Sequence, residues 1–122
     1  WIQGGAPGQV VISQMSSNGV NCLSADSLEG CLMTELKGGR RSGPLVSQTI
    51  ITDGNWHRVG FTWDGSNRIL YVDDVLVAED TQSNLAGASA GLFIGASRGL
   101  EPDGFWSGLI DDVRIYGRVV AP

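Results

Sequence analysis

The stretch from Trp56 to Asp80, WHRVGFTWDGSNRILYVDDVLVAED, decides the fold. Its apolar residues alternate with polar ones instead of recurring every three or four positions, so it predicts strands and no helix. Two turn signals divide it: DGSN at Asp64–Asn67, and the acidic pair Asp73–Asp74 between YV and VLV. In WHRVGFTW, Val59, Phe61 and Trp63 share one side while Arg58, Gly60 and Thr62 share the other. Successive strand residues point to opposite faces, so the first set is expected in the core. His57 falls on the core parity, where a hydrogen-bonded structural role at the start of the strand is expected ahead of a catalytic one.

The same pattern continues outward. GQVVISQ (8–14), VNCLSA (20–25), CLMTELK (31–37), PLVSQTII (44–51), GLFIGA (91–96) and FWSGLIDDVRIYG (105–117) read as further strands beside WHRVGFTWD (56–64), RILYVD (68–73) and VLVAED (75–80). Turn chemistry at Asp53–Gly54 and in GGRRSGP (38–44) separates them. Many short strands so punctuated predict an all-β, antiparallel sandwich or barrel.

A length of 122 residues allows one domain, 1–122, because such a chain has no room for a second core. It carries 8 Lys and Arg against 13 Asp and Glu, a net charge of −5. Nucleic-acid and anionic-membrane binding therefore lose their main electrostatic contribution. The longest apolar runs, such as ILYV, are strand-sized and far from the roughly 20 residues a membrane helix requires. A chain that starts at Trp1 without Met is expected to be a processed or trimmed piece of a longer protein, with a lost export signal as one option. The two cysteines, Cys22 and Cys31, flank ADSLEG. A two-residue turn at Asp26 and Ser27 would place them opposite each other within disulfide range. A bridge between them would indicate an oxidising compartment; two reduced, half-buried thiols are the alternative.

The segments DGNWHRVGFTWDGSNRILYVDD, LFIG and FWSGLIDDVRIYGR, in that order, resemble the laminin-G-like, concanavalin A-like jelly-roll domains of secreted and surface proteins of bacteria, with pentraxins as distant relatives. WIQ and GQVVISQ fit the earlier strands of such domains. The resemblance implies a jelly-roll β-sandwich at an extracellular or cell-surface location, engaged in recognition without catalysis. Members normally carry residues before that tryptophan, including a strand that closes the sheet near the D-D-V-R-I-Y strand. This chain lacks them, so either the protein is longer or an edge is left open for another chain or for self-association. Asp74 stands where the resemblance leads one to expect Gly, so in a type I′ turn it takes positive φ at a cost of about 1 kcal/mol.

Candidate chemistry is sparse. GASAG (87–91) matches G-x-S-x-G, but no helix is expected after it and the single His precedes it, so it reads as a small-residue loop. The same single His and the lack of C-x-x-C leave no zinc motif. The pairs Asp73–Asp74, Glu79–Asp80 and Asp111–Asp112 are adjacent in strands. Their members face opposite ways and do not form the same-face pair that glycoside hydrolysis needs. A pair assembled from two strands would keep a polysaccharide hydrolase as the third choice.

Calcium is the cofactor the resemblance allows. The pentraxin-like ligand cluster is replaced by IGASRG, leaving Asp80 with Asn84 and Glu101 with Asp103 as rim candidates. For sugar binding the requirement is an aromatic plate beside planar hydrogen-bonding groups. In FWSGLIDDVRIY, strand parity puts Trp106, Ile110, Asp112, Arg114 and Tyr116 on one face, extended by Arg58, Thr62 and Tyr71. Phe105, Leu109, Asp111, Val113 and Ile115 then form a core-like face, with His57 or a loop amide as partner for the Asp111 carboxylate. A bulge between 106 and 112 would break this parity. The expectation is a carbohydrate-binding module using Trp106, Asp112, Arg114, Tyr116, Arg58 and Tyr71. An adhesion or assembly module that binds an extracellular protein surface, completed by a neighbouring strand or chain, is the alternative.

Overall fold

The alternation read around Trp56–Asp80 extends through most of the chain in the computed structural model, which describes residues 1–16, 19–38, 43–85, 88–96 and 104–120. The strands are β1 (Ile2–Gly4), β2 (Val10–Ser16), β3 (Gly19–Ala25), β4 (Cys31–Glu35), β5 (Pro44–Ile50), β6 (Val59–Trp63), β7 (Asn67–Val72), β8 (Val75–Thr81), β9 (Ala88–Ile94) and β10 (Gly108–Ile110). No α-helix occurs among the described residues.

One layer is a five-stranded antiparallel sheet in the order β5-β4-β3-β2-β9. The other combines the β6-β7-β8 meander with the β1-β10 pair. A bridge between Ile2 and His57 joins them, each amide donating to the other's carbonyl at 2.9 Å. The resulting order is β10-β1-β6-β7-β8. Val11, Leu32 and Leu45 of the first layer meet Ile2, Leu70, Val72 and Trp106 of the second in one core, which Phe61 and Val59 flank. Each fully buried Leu or Ile contributes about 1.5–3 kcal/mol relative to exposure. The architecture is the antiparallel jelly-roll sandwich expected from the sequence.

The meander follows its sequence closely. Asp73 and Asp74 have φ of 52° and 69°, the two positive values of a type I′ turn. Side-chain bonds hold this turn: Asp73 accepts from the Arg58 amide at 2.9 Å and from His57 Nδ1 at 2.8 Å. His57 Nε2 meets Asp53 Oδ1 at 2.8 Å, so both ring nitrogens face carboxylates and the ring donates twice. Burial opposes the charge on His57, but the bonds to Asp73 and Asp53 outweigh it and raise its pKa. His57 therefore has a structural role, as parity suggested.

Two expectations fail. The turn after β3 is longer than two residues because the Asp26 carboxylate accepts from the amides of Leu28, Glu29 and Cys31, the last at 2.7 Å. Asp26 itself pairs with Cys31, its amide donating to the Cys31 carbonyl at 2.8 Å. The register consequently places Cys22 opposite Glu35. Cys31 lies four residues along β4, or about 13 Å, beyond bridging range. Both thiols are free.

The expected strand 105–117 shrinks to Gly108–Ile110. Asp112 has φ of 53°, which interrupts the alternation. Up to Ile110 the parity is also the reverse of the expected one: Trp106 is 8% exposed, and Ile110 packs against the core. Phe105, Leu109, Val113 and Ile115 are exposed. Asp111 is exposed as well, and His57 is committed to other carboxylates, so the expected Asp111–His57 pair does not form.

Candidate functional site

A cleft of about 1280 Å³ opens between β6 and the segment that follows β10. Its floor is the inner face of the five-stranded sheet, at Leu23, Thr34 and Leu36. Phe61 and Trp63 project into it from β6, and Val113 and Ile115 line the opposite wall. Trp63 Nε1 is satisfied by the Gln82 carbonyl at 2.7 Å, which fixes the ring. The interior of the cleft is thus largely apolar.

Its outer mouth is polar. Arg58 pairs with Asp74. Arg114 grips both oxygens of Asp112, at 2.9 and 3.1 Å. Tyr71 and Tyr116 line the same opening. The Arg114 bonds hold the Asp112 carboxyl below its usual pKa, and Asp112, then Tyr116, raise that of Arg114. Both ion pairs are exposed and add little stability. They leave planar, charged groups facing solvent.

Five of the six sequence-predicted ligand residues, Arg58, Tyr71, Asp112, Arg114 and Tyr116, therefore line one opening. Trp106 does not. Its ring lies where a Cβ on Gly5 would come within 2.4 Å, so only a glycine at that position lets the backbone cover it. The aromatic surface is supplied instead by two tryptophans the sequence reading passed over as plates. Trp1 and Trp56, 46% and 42% exposed, line a shallow depression of about 290 Å³ together with Asp111. The signal for Trp1 was its neighbour: Ile2 is buried, so Trp1 faces outward.

A family model described as the concanavalin A-like lectin/glucanases superfamily, of laminin-G type, matches residues 2–122. The chain belongs to this superfamily. A comparison with curated proteins finds no match. The superfamily's description covers both binding and hydrolysis, so the carboxylates matter. In this member Asp73 serves His57 and the Arg58 amide, Asp74 serves Arg58, and Asp112 serves Arg114. Ser89 of the G-x-S-x-G match lies in β9, a strand where a loop was expected, and no helix follows it among the described residues.

Of the calcium candidates, Asp80 and Asn84 fall among the described residues. Asp80 lies directly across from Arg68 on β7, and the buried guanidinium takes both its oxygens at 2.7 and 2.5 Å. Arg68 also donates to the Gly43 carbonyl at 2.8 Å. The Asn84 carbonyl accepts from Gln82 at 2.7 Å. Glu101 and Asp103 lie outside the described residues. Among the described residues no three His, Cys, Asp or Glu side chains are grouped to hold a metal.

Proposed function

We propose that this superfamily member is a non-catalytic, extracellular recognition module that binds a glycan across the outer face of its β10-β1-β6-β7 layer. The observation that carries this reading is the open depression that Trp1, Trp56 and Asp111 line together. Two half-exposed indoles give plates for the apolar faces of sugar rings. The Asp111 carboxylate beside Trp1 accepts hydroxyl hydrogen bonds, and Arg58 and Tyr71 continue the polar surface toward the cleft mouth. Such rigid aromatic groups supply contact area at low entropic cost. The carboxylates along the mouth are engaged by arginines, which supports binding over hydrolysis. No helix among the described residues is long and apolar enough to cross a membrane.

The test is affinity electrophoresis or calorimetry across common soluble polysaccharides, with wild type beside Trp56→Ala. Truncating a central aromatic anchor should weaken binding by about tenfold or more. Because Trp56 is half-exposed, the melting temperature should stay near that of wild type. Unchanged affinity in Trp56→Ala would remove this face from the account, and release of reducing ends would replace binding with hydrolysis.

A further inference from the structure

Trp1 and Asp111 stand directly opposite each other at the end of the β1-β10 pair. The Trp1 nitrogen donates to the Asp111 carbonyl at 2.9 Å, and the Asp111 amide donates to the Trp1 carbonyl at 2.8 Å. Residues opposed in this way carry their side chains on one face of the sheet, with β-carbons about 5.5 Å apart. Ile2 and Ile110 turn into the core, so the Trp1 indole and the Asp111 carboxylate both point outward. On the other flank, the Ile2–His57 bridge sets Arg58 beside Trp1 and Trp56 on the diagonal, within reach of an aromatic side chain. A residue ahead of Trp1 would extend β1 past Arg58 toward Val59, away from Trp56, and a peptide amide at Trp1 would make the same bond to Asp111. The depression therefore does not depend on where the chain begins.

The charges at this end of the layer are almost all matched. Asp53 and Asp73 share His57, Asp74 pairs with Arg58, and Asp112 pairs with Arg114. Asp111 is exposed, and among the described residues no Lys, Arg or His side chain pairs with it. One carboxylate falls far short of the six to eight oxygens calcium takes. An ammonium group asks for less: one carboxylate, with an indole face beside it.

We propose that the glycan taken by this face is an amino sugar, a saccharide bearing free, protonated amino groups. The inference rests on the glycan reading above and adds the class of its ligand. A pyranose ring lying flat on an indole holds its equatorial substituents at the edge of the plate. Asp111, opposite Trp1 in the sheet, meets an ammonium there. Acidic sugars are repelled by the same carboxylate and by the net charge of −5. N-acetylation removes the ammonium charge and with it the contact.

The test is calorimetry at about pH 5.5, where the amines are protonated and the carboxylates ionised, with the trisaccharide of glucosamine beside its fully N-acetylated form. Wild type should bind the amino form about tenfold more tightly, and added salt should narrow the gap. Asp111→Asn should bring the two affinities within about twofold of each other. Glu79→Gln removes the same charge from an exposed position on β8 and should keep the full preference. Equal affinities in wild type, a preference that survives in Asp111→Asn, or one lost equally in Glu79→Gln would overturn the proposal. So would competition by trilysine at equal concentration, which would leave charge alone as the determinant. If the N-acetylated form binds as well as the amino form and Trp56→Ala weakens it, the glycan reading stands and the amine preference falls. If no saccharide binds, the reading itself falls and takes this inference with it.

Discussion

Trp106→Ala separates a core role from a ligand-contacting one. The ring is 8% exposed and belongs to the cluster that includes Ile2, Leu70 and Val72. Loss of a buried Trp costs about 3–5 kcal/mol. Its Nε1 is buried with no hydrogen-bond partner among the described residues, so the wild type already bears a desolvation penalty that the variant relieves. The lower end, about 3 kcal/mol, is therefore expected. For a domain of this length that lowers the melting temperature by about 12 °C. Gly5 supplies an internal check, since a Cβ there would meet the ring at 2.4 Å. Gly5→Ala should be strongly destabilising in wild type and less so in Trp106→Ala, leaving mainly the strain of its φ of 76°. Calorimetric melts of the four proteins, beside polysaccharide affinity for those folded at the assay temperature, decide the matter. A Trp106→Ala protein that melts within about 2 °C of wild type but has lost its ligand would refute the burial argument.

Arg68→Met should cost about 2 kcal/mol in urea unfolding, below the figure for a fully buried pair because Asp80 keeps some water. Adding Asp80→Leu should recover much of that loss; if the double variant loses more, the ion pair is not the source. The His57 clamp makes stability pH-dependent. Its folded pKa is raised, so its contribution is full below the unfolded value of about 6.5 and is lost as pH rises through the folded value. Melting temperature should fall across that window in wild type and stay flatter in His57→Gln; matching profiles would refute the clamp. Asp53, whose pKa is lowered to about 2 by its His57 bond, acts in the opposite window and loses its contribution in acid. Unfolding without reductant should release two titratable thiols per chain, whereas none would restore the disulfide.

The meander was legible because its signals are local. Alternation put Val59 and Phe61 on the core side, and adjacent aspartates gave the type I′ turn with both φ values positive. The C-terminal segment was not, because distant contacts decide it. Trp106 turns inward to cover Gly5, about a hundred positions away in sequence, and one positive φ at Asp112 ends the alternation on which the face assignment relied. The cysteine pairing failed for a similar reason. Asp26 read as a turn residue, but its carboxylate gathers three amides and lengthens the loop, moving the partner of Cys22 to Glu35. Parity brought Arg58, Tyr71, Asp112, Arg114 and Tyr116 to one opening but did not pick out the exposed indoles of Trp1 and Trp56. Outward exposure of Trp1 and Trp56 follows from how β1 sits beside His57, a pairing no local pattern displays.

The chain's four tryptophans give the most direct test of the recognition surface. In a ¹H–¹⁵N spectrum, the indole signals of Trp1 and Trp56 should shift on titration with a bound oligosaccharide. Those of Trp63, bonded to Gln82, and of buried Trp106 should hold still. Shifts confined to Trp63 or Trp106 would contradict the account.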